Sequence, residues 1–433
     1  MSFEQLAALG VLAVVVGALI WGRLRSDVVA LAGAAALLAL GVVRPVEVQG
    51  AFASPAVIAL ASLFVISYAM ELTGLLGLII RGAVRLCGRF GQAGLWAVIA
   101  LSGAASAFLN NTPIVVLGAP VVRDVAESLK LSPRRFLIPL SYVTILGGSC
   151  TLIGTSTNLL VNDMARSAGQ PTFGMFEITK VGVIVAVAGG LYLYLLGGRL
   201  LERPGGGEPV PNPMADDGEA EGALAEPSFF AADRPVRPLG AILSLVVFVG
   251  VVTAATLGFA PIAASAFAGA VLLVLLRVIS AEEAYKGLRP EILLLIAGMV
   301  VVGLSLELTG LAASATGALA TWVQALGPLA ALAILYLLTS ILTEILSNAA
   351  VAVLLTPVAV ALAESLGVNP RPFLVAIMLA ASASFATPFG YQTNVLVFQM
   401  GGYRYMDFVR IGLPLNILTA VVAIAVIPVF FPF

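Results

Sequence analysis

Apolar runs of span length alternate along the chain with short polar breaks. A helix crossing a bilayer needs about 20 mainly apolar residues, and uninterrupted runs of that kind occupy 5–22, 27–43 and 55–80. A longer apolar stretch, 93–124, is interrupted at Asn110-Asn111-Thr112-Pro113, and 135–160 is interrupted at Gly154-Thr155-Ser156-Thr157-Asn158. A further run fills 180–198. The same order then returns as 239–258, 260–278, 290–311, 326–362 broken at Ser347-Asn348-Ala349, 372–398 broken around Gly390-Tyr391-Gln392-Thr393-Asn394, and 411–430. The pattern predicts an all-α polytopic membrane protein.

The recurrence is an internal repeat. Glu71-Leu72-Thr73-Gly74-Leu75 matches Glu307-Leu308-Thr309-Gly310-Leu311 at all five positions. Residues 126–137 match 363–374 at eight of twelve positions, and 154–161 match 390–397 at five of eight, all at offsets of 236 or 237. The expected organisation is a first repeat over 1–198, an acidic linker over 199–238, and a second repeat over 239–433. The linker, rich in Gly, Pro, Ala and acids, has a composition that favours disorder.

Composition sharpens this picture. Of 433 residues 60% are hydrophobic and 10% charged, against about 25% charged in an ordinary soluble domain. There is no histidine, which removes the usual general base and zinc ligand. Two cysteines, Cys87 and Cys150, cannot make a zinc site alone. No lysine/arginine run resembles a nucleic-acid footprint. Ser106 and Ser156 have no histidine to activate them, so a serine hydrolase is improbable. The chain is not expected to be an enzyme or to need a cofactor. Its first apolar run lacks a basic n-region and reads as a retained span.

Charge then sets an expected orientation. Let the interrupted runs 93–124 and 326–362 be re-entrant hairpins, each entering and leaving on one side. Each half has five crossings, so the halves are inverted relative to each other. With both termini outside, 18 lysines and arginines fall on the cytoplasmic side, including Arg81, Arg85, Arg89 and the four linker arginines. Only Arg44, Arg166, Lys180 and Arg371 fall outside. Positive-inside bias thus supports hairpins, orientation and a cytoplasmic linker together. Trp21, Trp96 and Trp322 near run ends read as interface anchors.

Inverted repeats with paired broken segments point to a secondary transporter in the plasma (inner) membrane. Non-helical backbone at membrane depth is tolerated only inside protein or beside a water-filled cavity. The four breaks offer hydroxyls, carboxamides and exposed amides, suited to an anion at helix N-termini and a cation at unwound carbonyls. A lone Asn would read as packing glue between helices, but four such breaks at repeat-matched positions read as two half-sites. Asn110-Asn111-Thr112 pairs with Gly154–Asn158, Thr157 and Asn158 included, in one, and Ser347-Asn348-Ala349 with Thr387–Asn394, Thr393 and Asn394 included, in the other. No lysine or arginine lies in a proposed span or hairpin core, so a co-bound cation is the expected source of positive charge. The embedded acids are Glu71, Glu307 and Glu344, and intramembrane carboxylates are functional candidates. Glu71 and Glu307 are repeat mates that could be structural. Glu344, four residues before Asn348, could brace the tip, hold a cation or carry a proton.

At these breaks the sequence resembles the divalent anion/sodium symporter family of the ion-transporter superfamily, whose tips carry Ser-Asn-Thr. The first tip keeps Asn111-Thr112, and the second keeps Ser347-Asn348 with Ala349 in place of threonine. The turn Gly390-Tyr391-Gln392-Thr393-Asn394 followed by Gly401-Gly402-Tyr403-Arg404 is closest to the sulfate-permease-like branch. Members of that branch often carry TrkA-C-type domains between the halves, where this chain has only its linker. The resemblance implies one sodium site at Ser106, Asn110, Asn111 and Gly154, and another at Thr343, Ser347, Asn348 and Thr387. It implies anion contact through Asn111, Thr112, Ser347 and Asn348. It also implies a homodimer among membrane lipids that works as an elevator. The expected function is sodium-coupled symport of a small divalent anion, with sulfate ahead of C4-dicarboxylates. Alternatives are a sodium/proton antiporter, an arsenite-type exporter, proton coupling through Glu344, or a passive channel.

Overall fold

The structure, a computed structural model, describes residues 2–21, 23–75, 90–201, 237–311, 314 and 327–433; among these are helices and connecting turns, with no strand. Most of the linker, together with Cys87, Arg81, Arg85, Arg89 and Trp322, lies outside the described residues.

In the first half the helices are α1 (Phe3–Trp21), α2 (Ser26–Ala39), α3 (Pro45–Phe52), α4 (Pro55–Leu72), α5 (Gln92–Ser106), α6 (Asn111–Ser128), α7 (Arg134–Gly148), α8 (Ser156–Ser167) and α9 (Thr179–Tyr192). A π-helical turn, Leu193–Gly197, leads from α9 to the short α10 (Gly198–Leu201). The second half holds α11 (Pro238–Thr256), α12 (Ile262–Leu275), α13 (Ala281–Gly287), α14 (Pro290–Leu308), α15 (Pro328–Leu342), α16 (Asn348–Leu366), α17 (Arg371–Ser382), α18 (Gln392–Gly401) and α19 (Tyr405–Phe430). Helices α11 to α18 follow α1 to α8 in kind and order. Proline opens α4, α11, α14 and α15, where its missing N–H goes unneeded.

The turns recur as well. Left-handed residues stand at Gly41 and Arg277, Gly74 and Gly310, Gly91 and Gly327, and Lys130 and Gly367, each pair 236 or 237 apart. Arg277 (φ 54°) and Lys130 (φ 58°) hold a conformation that glycine takes in the other half, at roughly 1–2 kcal/mol each.

Seven helices among the described residues are long and apolar enough to cross a membrane. The expected spans 27–43 and 260–278 are represented by α2 and α12, of 14 residues each. At 1.5 Å per residue each is about 21 Å long, short of the roughly 30 Å hydrocarbon core. The left-handed residues Gly41 and Arg277 lie just beyond their ends. Helix α16 has 19 residues and is itself long enough to cross, so length alone does not mark it as a hairpin arm.

Contacts between the halves are reciprocal. Helix α2 packs on α14 while its counterpart α12 packs on α4; α8 packs on α16 and α17 while α18 packs on α6 and α7. Such exchange is what a two-fold relation between halves produces. Small residues bring the backbones together. A Cβ on Gly298 of α14 would lie 2.7 Å from the carbonyl carbon of Ala30 in α2, and one on Gly147 would lie 2.0 Å from the Gly103 carbonyl oxygen. At the centre, the fully buried Tyr142 ring meets Phe385 and Phe408 at 5.0 and 6.2 Å. Ion pairs cross between the halves, among them Arg134 to Asp407 at 2.7 Å and Arg371 to Glu177.

Candidate functional site

The helix boundaries place the breaks a few residues earlier than the polar clusters suggest. The first tip is the turn Ala107–Asn110 and the second is Thr343–Ser347; the unwound segments are Ser149–Thr155 and Ala383–Tyr391. The Asn and Thr residues of the motifs therefore stand at the starts of the helices that follow. Short oxygen-bearing side chains favour helix starts because they accept from N–H groups that lack helical partners. Asn110 Oδ1 accepts from the Thr112 N–H at 3.3 Å, and Ser347 Oγ accepts from the Ala350 N–H at 3.4 Å.

Around the first tip, Ser106 Oγ donates to Asn111 Oδ1, and Thr151 Oγ1 donates to the Ala107 carbonyl. Both side chains in the first contact are almost fully buried. The Gly154 N–H donates back to Thr151 Oγ1 at 3.1 Å, and Asn158 Nδ2 donates to the Thr151 carbonyl at 2.8 Å. Asn158 Oδ1 is buried without a hydrogen-bond partner. The second half repeats this design. The Thr343 hydroxyl lies 2.8 Å from Asn348 Oδ1 and 2.6 Å from the Ala381 carbonyl, two acceptors for one proton. The Gly390 N–H donates to Thr387 Oγ1 at 3.1 Å, and Asn394 Nδ2 donates to the Thr387 carbonyl at 3.2 Å. In each cluster oxygen acceptors gather more densely than protons, an arrangement suited to a small hard cation.

Glycine is tightly enclosed at both breaks. A Cβ on Gly154 would stand 2.4 Å from the Gly148 carbonyl oxygen and 2.8 Å from that of Ala107. One on Gly390 would stand 1.9 Å from Ser384 Oγ.

Between the halves, Asn111 Nδ2 donates to the Tyr391 hydroxyl at 2.8 Å, and Thr112 Oγ1 donates to Gln392 Oε1 at 3.2 Å. A cavity partly open to solvent lies beside this bridge. Asn110, Gly154, Thr155, Ser156, Ser67 and Tyr391 are among its lining residues. The N-terminal ends of α6, α8 and α18 thus meet at one cavity, with no lysine or arginine among its described lining residues. Helix N-termini and hydroxyls can hold an anion without a formal positive charge.

The expected residues divide into groups. Asn110 and Gly154 line the cavity; Asn111 and Thr112 make the bridge beside it. Ser106 stands behind Asn111. Thr343, Ser347, Asn348 and Thr387 belong to the second tip and its break, and none of them lines this cavity. Thr157, Asn158, Thr393 and Asn394 are buried beneath the breaks. Ser141 Oγ lies 2.8 Å from Thr393 Oγ1 and donates to Asn394 Oδ1 at 2.7 Å. Glu344 is half-buried and accepts from the Ala386 N–H at 2.8 Å, Thr387 Oγ1 at 2.7 Å and Asn416 Nδ2 at 2.8 Å.

Sequence reasoning passed over four contributors: Thr151, Ser141, Tyr391 as a bridge, and Asn416. Thr151 stands 236 residues before Thr387, so the repeat offset alone would have found it. Thr151→Val is expected to strand the Gly154 N–H and to lower uptake about tenfold or more, since each unsatisfied buried group costs about 1–3 kcal/mol. Initial-rate uptake in proteoliposomes measures it.

These features define a polytopic helical transporter, with polar clusters at two interhelical turns and two helix breaks. The chain belongs to the citrate transporter family, whose pattern matches residues 16–367. An uncharacterized transporter of Synechocystis is 26% identical over 90% of this chain and 91% of its own length. A sodium-dependent dicarboxylate transporter of Staphylococcus saprophyticus is 23% identical over 90% of this chain and 79% of its own. Sodium/sulfate cotransporter 1 of Chlamydomonas reinhardtii is 35% identical over a shorter stretch, 36% of this chain and 18% of its own. The YdaH transporter of Alcanivorax borkumensis shares the fold at 16% identity, with a TM-score of 0.58 over 89% of this chain and 88% of its own.

Proposed function

We propose that the protein is a sodium-coupled symporter of a small divalent anion, with sulfate preferred and C4-dicarboxylates second. The observation that carries this reading is the meeting of three helix N-terminal ends at a cavity with no basic residue among its described lining, beside the oxygen-rich first cluster. Sodium would supply the missing positive charge, and the anion would bind between Asn111, Thr112, Ser347 and Asn348. The sulfate preference draws on the Chlamydomonas relative and on the Gly390–Asn394 turn. The dicarboxylate alternative draws on the staphylococcal one.

Transport would proceed by alternating access. Sodium orders the tips, the anion completes the site, and an elevator movement of the site against a scaffold carries both across, in a homodimer. The halves would be inverted, with re-entrant tips, both termini outside and the linker cytoplasmic. Arg134 pairs with Asp407, close to Arg404, and Arg371 with Glu177, close to Lys180. Each pair joins segments that the charge count puts on one side. The carboxylate of Glu344 at the second tip favours proton coupling as the second reading.

The test is uptake of labelled sulfate and of labelled succinate into proteoliposomes, with and without a sodium gradient. Sodium-driven uptake of sulfate, with succinate slower, is the expected result. Uptake of neither under sodium or proton gradients refutes the reading.

A further inference from the structure

At an offset of 236 residues, the turn Gly154-Thr155-Ser156-Thr157-Asn158 aligns with Gly390-Tyr391-Gln392-Thr393-Asn394. Three of the five positions are identical, and the glycine and asparagine do the same work in both halves. Gly154 and Gly390 are each tightly enclosed, and Asn158 and Asn394 each donate to the carbonyl of a matching threonine, Thr151 or Thr387. The first variable position shares its backbone as well: Thr155 has φ −139° and ψ 145°, and Tyr391 has φ −142° and ψ 143°. What differs is bulk. A phenol ring stands in place of a threonine, and the long carboxamide of Gln392 in place of Ser156.

Both larger side chains reach the other half. The Tyr391 hydroxyl accepts from Asn111 Nδ2 at 2.8 Å, and Gln392 Oε1 accepts from Thr112 Oγ1 at 3.2 Å. The first half is not built to return these contacts. Asn348 and Ala349 stand 237 residues after Asn111 and Thr112, alanine has no hydroxyl to donate, and Thr155 and Ser156 are short. The cavity between the halves is therefore lopsided. Thr155 and Ser156 line it with small hydroxyls, while the phenol of Tyr391, tied to Asn111, bounds it from the second half. Leu63, Phe64 and Phe108 belong to its apolar lining and offer no side-chain partner to a charge. Sulfate carries both charges on one tetrahedral centre, within reach of a single cluster of helix ends and hydroxyls. A C4-dicarboxylate carries them at the two ends of a carbon chain, and a carboxylate left against apolar side chains is costly.

We propose that Tyr391 and Gln392 are the size filter of the anion site, a wall added to one half only, which admits a compact oxyanion and excludes a C4-dicarboxylate. This rests on the divalent-anion reading and names the residues that set its preference.

The test is the melting temperature of the purified full-length protein at fixed total sodium, titrated with sodium sulfate or sodium succinate against sodium chloride. Wild type is expected to respond at lower sulfate than succinate. The double variant Tyr391→Thr with Gln392→Ser gives the second turn the residues of the first. It should move the ratio of half-saturating concentrations toward succinate by about tenfold or more, since one methylene of pocket space is worth about 10–200-fold in discrimination. Gln392→Ser alone, at an exposed position, should move the ratio part of the way. Tyr391→Phe keeps the ring and loses only the hydroxyl. It should weaken binding of both anions through Asn111 and keep the wild-type ratio, which separates bulk from hydrogen bonding. An unchanged ratio in the double variant overturns the proposal, as does an equal shift in Tyr391→Phe or a wild type stabilised equally by both anions. The ratio is read from binding. A shifted ratio without uptake of either labelled anion refutes the transport reading alone, and sulfate uptake with an unshifted ratio refutes the filter alone.

Discussion

Asn111→Ala is expected to abolish sodium-driven uptake while leaving a protein that inserts and purifies as a folded species. Asn111 Oδ1 accepts from Ser106, and its Nδ2 donates to Tyr391 of the other half. Truncation removes both contacts and the oxygen expected to touch sodium and anion alike. Leaving two buried groups unpaired costs about 2–6 kcal/mol, and each 1.4 kcal/mol is roughly tenfold in affinity. A loss of about 10²-fold or more in initial uptake rate follows. Asn348→Ala should act similarly at the second tip, where it removes the Oδ1 facing the Thr343 hydroxyl. Retention of more than a tenth of wild-type uptake in Asn111→Ala would remove this residue from the site.

Gly154→Ala is expected to be nearly as severe for a different reason. Its methyl group would stand 2.4 Å from one backbone oxygen and 2.8 Å from another, and neither belongs to a side chain that can rotate away. The break must then open or the tip must move, at a cost typical of overpacking, about 1–3 kcal/mol or more. Uptake should be lost, with a lowered melting temperature in detergent. Gly390→Ala should be milder, because the nearest atom there is the Ser384 hydroxyl, a side-chain group able to turn. Equal losses from the two substitutions would contradict the asymmetry.

Much of the architecture was legible because membrane helices declare themselves by length of apolar run. Three repeat blocks at offsets of 236 or 237 suggested the division into halves, and helix order and left-handed turns recur at the same spacing. The break positions were less legible. Polar residues mark where a helix restarts, so Asn111, Asn348, Thr157 and Asn394 lie in the first turns of helices instead of in the unwound backbone. The short ends of α2 and α12 were hidden because one half uses Gly41 and the other Arg277 for the same left-handed turn. The Asn111–Tyr391 and Glu344–Asn416 contacts join residues far apart in the chain, and local pattern carries no record of such partners. Asn416 did leave a trace, as the lone asparagine of the apolar run 411–430.

The reciprocal packing of α2 on α14 and α4 on α12 has a consequence for biogenesis. Helix α2 ends at Ala39 and its partner begins at Pro290, about 250 residues later in synthesis. At about 5–20 residues per second the ribosome takes roughly 12–50 s to deliver that partner. Throughout this interval α2 must wait in the bilayer with its docking face covered by lipid or insertion machinery, and α4 must do so for the roughly 190 residues before its own partner begins. The first half therefore reaches its final packing only after much of the second half is made. Truncated chains that end in the linker should be short-lived, and a pulse-chase comparison of truncated and full-length protein would measure that wait directly.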